Sequence, residues 1–425
     1  MSVPAAPAPV GLAGASAPPF RLPGEHFAAA FVFLLAGAAG LIVVAPDLAL
    51  GAYPLRPVVA VTHLFALGWI TTAIMGALYQ FVPVALREPI RSVRLGHLAF
   101  VLYVPGLAAF VAGLAFGSSA AMLAGAGVFG TGILVFAANL ALTLGRSRQR
   151  DVTWWALAGA DVFLLATLAL GITLAGNLRA GYLGGDWLGV LGTHLHVAIG
   201  GWVMLVVVGV GNRLLPMFLL SHGVTNRLAA ASAALLASGS AVLVAAHGSA
   251  PAAVGRWLPA ALLGAGLACF LAQARQFYRH RHRPRLDPGM RLAAAALVLL
   301  AVSLGLGLVS VAAWSTARGS TTYVASLLLA LTLFVAAQIY KIVPFLVWYH
   351  RFGPLAGRQK VLRVSDLFSA RLASVAGTLA AGGAAALVAT VAVGSGEGAR
   401  AAAGLLAAGV VIEGVQMLQL ARRRP

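Results

Sequence analysis

The feature that most constrains this chain is a succession of twelve apolar runs, each long enough to cross a lipid bilayer. A transmembrane helix needs about 20 consecutive apolar residues. Charged residues make up only 9% of the chain, against about 25% in soluble proteins. The pattern therefore predicts an all-α polytopic membrane protein. The predicted spans are about 27–46, 57–86, 97–117, 119–145, 152–176, 189–220, 227–247, 256–278, 290–314, 320–348, 367–393 and 399–421.

Basic residues are divided unevenly between the two ends of these spans. All but five of the 29 Lys and Arg residues fall at one end, and the exceptions are Arg56, Arg179, Arg256, Arg318 and Arg400. Because cytoplasmic loops carry the excess of Lys and Arg, both termini are predicted to be cytoplasmic. The net charge of +19 then reflects topology and contact with anionic lipid, and we predict no nucleic-acid partner.

The N-terminal segment differs in composition from the rest of the chain. Residues 1–24 are rich in Ala and Pro and lack the basic and apolar regions of a signal peptide. They are predicted to form a disordered cytoplasmic tail. Residues 25–425 are predicted to form a single transmembrane domain, in what we expect to be a bacterial inner (cytoplasmic) membrane.

Two of the spans repeat one another without a gap. The second reads THLFALGWITTAIMGALYQFVPVAL, and the sixth reads LHVAIGGWVMLVVVGVGNRLLPMFL. A single constant offset pairs His63 with His196, Gly68 with Gly201, Trp69 with Trp202, Gly76 with Gly209 and Pro83 with Pro216.

The tenth span extends the repeat to a third copy. A second, slightly shorter offset brings Pro344 into register with Pro216, and Val324 then occupies the histidine position. The chain is therefore predicted to consist of three pseudo-repeated four-helix arcs. The repeat units are about 25–150, 151–285 and 286–425.

The intramembrane histidines are the candidate functional residues. His63 and His196 each precede their proline by 20 residues, which predicts a common depth near the outer membrane face. Residues two apart on a helix are separated by about 200°, so His194 and His196 point in nearly opposite directions. This spacing favours two sites flanking one helix over a single metal ion held by both side chains.

These histidines allow two interpretations. A histidine in a membrane helix can bond to a backbone carbonyl or to a nearby hydroxyl, such as that of Thr62 or Thr193. Three intramembrane histidines at similar depth, two of them related by the repeat, favour cofactor ligation instead. Neutral imidazole is a suitable axial ligand for haem iron, and Trp69 and Trp202 could stack on the macrocycle or pack in the core.

Cysteine chemistry is almost absent from the sequence. Cys269 is the single cysteine, and no Cys-x-x-Cys-His motif occurs. Disulfides within the chain and a covalently attached c-type haem are therefore excluded, which leaves b-type haem as the expected form.

The segment HLHVAIGGWVMLVVVGVGNRLLPMF resembles the haem–copper oxidase subunit I superfamily, of which this chain would be a divergent member. The resemblance implies twelve helices in three arcs, with His194 and His196 ligating haems on opposite sides of one helix. The NRLLPMFLLSHG ending and the early histidine of the second span also resemble the NnrS family. That resemblance implies a twelve-helix haem and copper protein linked to nitric oxide metabolism.

The chain departs from the oxidase pattern at several positions. In oxidases the His-x-His lies in the third arc, whereas here it lies in the second, and no His-His pair is present for a copper site. His247, at the outer end of the seventh span, is the weak candidate for a copper ligand beside His63, His194 and His196. A complete oxygen-reducing centre is therefore not predicted.

The sequence thus predicts a membrane protein with haem b and possible copper, which binds or processes nitric oxide or oxygen, or carries electrons. In this prediction His63 and His196 flank one haem, and His194 faces a second site. The alternatives are a cofactor-free transporter or channel, or a haem or copper assembly factor. Other respiratory or denitrification subunits would be its partners. Asp161 and Glu413 belong either to a proton path or to hydrogen-bonded helix interfaces.

Overall fold

A computed structural model of the chain describes residues 19–246, 252–312 and 316–424. Twelve helices in these ranges are long and apolar enough to cross a membrane, which confirms the predicted all-α polytopic membrane architecture. They are α1 (Arg21–Ala49), α2 (Arg56–Leu86), α3 (Val93–Ala115), α4 (Ser119–Arg146), α5 (Val152–Ala180), α6 (Gly184–Leu219), α7 (Arg227–Ala246), α8 (Ala252–Arg279), α9 (Pro288–Ala312), α10 (Ala317–Leu355), α11 (Ala370–Val393) and α12 (Gly396–Arg422).

The helix boundaries follow local capping chemistry. The side chains of Ser92, Ser118 and Thr316 accept hydrogen bonds from backbone N–H groups in the first turns of α3, α4 and α10. Such caps satisfy N–H groups that have no partner within the helix. At the other end, α5 stops at Gly181, whose φ of 67° is readily adopted by glycine.

Three helix limits differ from the sequence prediction. Helix α1 begins at Arg21, so the last residues of the predicted tail form its first turn, while residues 1–18 lie outside the described ranges. Helix α6 begins at Gly184 with a short 3₁₀ turn. Helix α10 continues past Val347 into a π-helical turn, Trp348–Phe352, and a 3₁₀ turn that ends at Leu355.

Helices α2, α6 and α10 are the most deeply buried, and the other nine surround them. Outer helices pair closely through glycine. A Cβ added to Gly106 would lie 2.4 Å from the backbone nitrogen of Phe129, and one added to Gly113 would lie 2.3 Å from that of Met122. Small residues of this kind let the backbones of α3 and α4 approach each other directly.

Helices α1 and α5 contact their neighbours at corresponding positions. A Cβ at Gly76 would lie 2.8 Å from Cβ of His26, and one at Gly209 would lie 3.0 Å from Cβ of Ala156. The two glycines are equivalent in the repeat, and His26 and Ala156 are separated by nearly the same interval along the chain. The two contacts therefore correspond, and the predicted arrangement of the three units stays a prediction.

The basic end of the bundle, at which α1 begins, carries two corresponding ion pairs. Asp151 caps α5 and pairs with Arg213 of α6, and Asp287 caps α9 and pairs with Lys341 of α10. Arg213 and Lys341 are related by the offset that aligns the prolines of α6 and α10. The contacts of the third unit therefore also resemble those of the second.

Candidate functional site

The helical path changes directly after two of the three candidate histidines. A π-helical segment, Leu64–Thr71, follows His63 in α2, and another, Val197–Met204, follows His196 in α6. The two segments begin and end at positions that the sequence repeat makes equivalent. The corresponding part of α10, which has Val324 in place of histidine, is regular α-helix. Because π segments occur frequently at functional sites, this correlation marks the two histidine positions.

All three imidazoles use Nδ1 for a bond to a backbone carbonyl. Nδ1 of His63 lies 2.8 Å from the oxygen of Val59, and Nδ1 of His196 lies 2.7 Å from that of Gly192. Nδ1 of His194 lies 3.1 Å from the oxygen of Thr167 in α5. A carbonyl can only accept, so each Nδ1 donates, and Nε2 of a neutral ring keeps its lone pair. Metal-ligating histidines are held by bonds of this kind.

The bond at Nδ1 does not by itself distinguish a ligand from other helical histidines. His26 bonds the carbonyl of Leu22 in the same way, at 2.8 Å, and exposed His280 bonds that of Gln276, at 2.9 Å. The surroundings of Nε2 are therefore the deciding feature.

The three Nε2 atoms face different surroundings. Nε2 of His196 lies 3.2 Å from the hydroxyl of Tyr323 in α10, and the two rings are stacked with their centroids 5.9 Å apart. His63 and His194 lie within electrostatic range of each other. Among the described residues, neither of these two rings has a hydrogen-bond partner at Nε2.

The sequence prediction placed His63 and His196 on one haem. That pairing stays a prediction; in the structure Nε2 of His196 faces Tyr323 of α10. His194 points toward α5, where its ring would lie 3.1 Å from a Cβ added to Gly171. The divergence of His194 and His196 agrees with the separation of about 200° that is expected for residues two apart on a helix.

The two candidate tryptophans connect the inner helices. Nε1 of Trp69 in α2 donates to the carbonyl oxygen of Thr332 in α10, at 3.2 Å. Nε1 of Trp202 in α6 donates to Oγ1 of Thr71 in α2, also at 3.2 Å. Both tryptophans are buried. With the Tyr323–His196 contact from α10 to α6, these bonds form a closed ring of contacts among α2, α6 and α10.

Protein side chains occupy the space beside the glycines near the histidines. A Cβ at Gly68 would lie 2.6 Å from Cβ of Phe33, and one at Gly201 would lie 2.7 Å from Cβ of Phe163. These glycines serve close packing against α1 and α5. Gly192, one turn before His196, has open space around it.

The remaining polar candidates do not join this group. His247 lies outside the described residues. Asp161 and Glu413 are buried, and each has one carboxylate oxygen without a hydrogen-bond partner in the described part of the chain. Asp161 is six residues before Thr167 on α5, about 9 Å along the helix, and so lies well away from the His194 ring.

Sequence reasoning missed Tyr323, which belongs to this region, and His26, which lies toward the basic end of the bundle. Tyr323 directly precedes Val324, which occupies the histidine position in the third repeat. This neighbouring position could have identified Tyr323 from the sequence. His26 is fully buried in α1, near the start of the span, and its burial could not be read from the sequence.

Within the described ranges, no three His, Cys, Asp or Glu side chains are grouped so that they could hold a metal ion. No protein-family model matches this chain. A search of curated proteins finds no match either. The site is therefore interpreted from its own geometry.

Proposed function

We propose that this integral membrane protein is a b-type haem protein in which His63 and His194 are the axial ligands. The observation that carries the proposal is that each of these two imidazoles has Nδ1 committed to a backbone carbonyl and an Nε2 without a partner among the described residues. Imidazole lone pairs inside a membrane span are costly unless something binds them.

The two rings also keep some accessible surface. Although α2 and α6 belong to the most buried helices, His63 and His194 are only partly buried. Neither residue is therefore fully enclosed by protein.

The number of ligands distinguishes haem from a bare metal ion. A porphyrin supplies four nitrogens, so one or two imidazoles complete the coordination of its iron. A zinc or copper ion bound by protein alone needs three or four ligands, and no group of three is present in the described residues. His247, a candidate copper ligand in the sequence, is not among the described residues. We therefore propose haem alone.

The residues around the two imidazoles orient them. The carbonyls of Val59 and Thr167 fix the tautomer and the rotation of the His63 and His194 rings. Phe110 of α3 packs edge-on against His63, with ring centroids 5.2 Å apart. Such apolar walls exclude water from the site and retain a hydrophobic cofactor.

Two axial imidazoles favour electron transfer as the activity. When bound, haem would supply a one-electron iron couple, and ligation on both faces leaves no coordination position for a substrate. Binding of nitric oxide or oxygen is the second candidate function. It is favoured by His196, whose Nε2 contacts the neutral hydroxyl of Tyr323, since that hydroxyl could rotate away.

The visible spectrum of the purified protein tests the proposal. In cells supplied with haem precursor, we expect the wild type to show a Soret band and a pyridine haemochrome typical of haem b. His63→Ala and His194→Ala should each lower the haem content at least about 10-fold, as expected for loss of an axial ligand. Carbon monoxide should leave the reduced spectrum unchanged if both ligands are imidazoles.

His280→Ala is the matched control, because His280 makes the same Nδ1 bond but is exposed at the basic end. It should retain full haem content, as should His196→Ala. A colourless wild type, or full haem content in both ligand variants, contradicts the proposal. A carbon monoxide shift with haem retained would support gas binding instead.

A further inference from the structure

A cavity of about 60 Å³ lies between α2, α6 and α10. Twelve of its fifteen lining residues fall into corresponding sets, related by the two offsets that align the three helix sequences, and the others are Phe27 of α1, Leu214 and Ile342. These sets are Ala73, Val206 and Phe334; Ile74, Val207 and Val335; Ala77, Val210 and Gln338; and Leu78, Gly211 and Ile339. The cavity therefore lies where corresponding faces of the three inner helices converge.

The cavity is separate from the histidine region. Ala73 follows His63 by ten residues, about 15 Å along a helix. Trp69 and Trp202 lie one turn before Ala73 and Val206, between the histidines and the cavity along α2 and α6. Helices α2, α6 and α10, which form most of the lining, have the largest buried share of the twelve spans.

The same helix faces become more exposed toward the basic end. The set that contains Ala77, Val210 and Gln338 is half-buried. Two turns further along, Val84, Met217 and Phe345 are 38%, 50% and 36% exposed, respectively, and these three also obey the repeat offsets. An apolar path therefore leads from the basic end into the cavity.

The lining does not favour water as the occupant. A buried water needs two to four polar partners, and Gln338 is the single polar side chain of the lining. Its Nε2 has no hydrogen-bond partner in the described part of the chain. Apolar cavities stay dry and bind apolar molecules, and one of about 150 Å³ accepts benzene or xenon. The present cavity is smaller and suits a molecule of two or three atoms.

We infer that this cavity is a binding site for a small apolar gas, of the size of oxygen or nitric oxide, which enters from the basic end. The inference does not depend on haem. Ala77 is the position at which the site can be closed, because a larger side chain there would project between Val210 and Gln338 at the level of the cavity.

Xenon under pressure is the probe, applied to crystals of the whole protein. We expect one xenon peak in contact with residues of all three inner helices. Ala77→Leu should abolish this peak. Ala108→Leu, which makes the same change on an exposed surface of α3, should retain it.

Gln338→Leu provides a further variant, because it makes the lining wholly apolar and should keep xenon bound. Ordered water bonded to the Gln338 amide in place of xenon would overturn the inference. So would loss of the peak in Gln338→Leu, or its survival in Ala77→Leu. Haem content measured on the same Ala77→Leu sample should be unchanged, so failure here is distinguishable from failure of the haem proposal.

Discussion

The role of a single residue in this protein depends mainly on the atoms within a few ångströms of its side chain. For the histidines, the decisive atoms are those around Nε2. Three rings share one Nδ1 geometry, yet His196 meets Tyr323 while His63 and His194 have no described partner at Nε2. Chemical type and helical spacing identified the three residues, but the partner of each depends on tertiary packing.

Two glycines in α4 give a matched test of close packing. A Cβ at Gly125 would lie 2.3 Å from the backbone nitrogen of Phe110, whereas Gly127 has nothing within 4 Å. Gly125→Val should therefore force α3 and α4 apart and lower stability by at least about 1–3 kcal/mol, the usual cost of overpacking.

The two variants differ by two positions on one helix, so propensity and hydrophobicity change equally. Thermal unfolding in detergent should show a lower midpoint for Gly125→Val than for Gly127→Val. Equal midpoints would mean that the close approach of α3 and α4 contributes nothing to stability.

At the scale of the helix, the π-helical segments depend on contacts from neighbouring helices. The carbonyl of Leu67, within the π segment of α2, accepts a bond from the Tyr103 hydroxyl of α3 at 2.9 Å and from Oγ1 of Thr72 at 2.9 Å. A π turn displaces carbonyls from their usual helical partners, and buried carbonyls need compensation. Tyr103 thus supports the altered path that follows His63.

Tyr103→Phe should destabilise the protein by about 1 kcal/mol, the net value of one hydrogen bond. If haem is bound through His63, haem content should fall as well, because the segment that positions this residue loses a support. Tyr53→Phe is the control, since Tyr53 makes no hydrogen bond among the described residues. A spectrum and an unfolding midpoint measured for both variants check the expectation.

The sequence was sufficient to predict the twelve spans, because each apolar run is bounded by Gly, Pro, Ser or basic residues. It also predicted the alignment of α2, α6 and α10, and the lining of their shared cavity follows the same offsets. It could not predict the π segments, since LFALGWIT and VAIGGWVM are compatible with regular helix. The pairing of His63 with His196 stays a prediction, because depth alone does not show which way a helix is turned.

For the whole molecule, the distribution of charge gives the orientation proposed from the sequence. Lys360 lies in the α10–α11 connection at the basic end, and Gly185 lies at the opposite end, at the start of α6. Both are exposed, and Cys269 is the chain's single cysteine. Single-cysteine variants in a Cys269→Ser background can therefore report the side on which each end lies.

Gly185→Cys should react with a membrane-impermeant maleimide in intact cells. Lys360→Cys should react only after the membrane is permeabilised, because the basic end is expected to face the cytoplasm. The reverse labelling pattern would show that the basic end, and with it the entry to the cavity, faces outward.

The closed ring of contacts among α2, α6 and α10 has a mechanical consequence. Each helix gives one side-chain contact to the next and receives one from the previous helix, so none can slide along its axis without straining two interfaces. Carriers that alternate access rock one repeat against another, and such motion would break this ring. A core locked in this way would hold a bound group, such as the proposed haem, at a fixed position relative to all three inner helices.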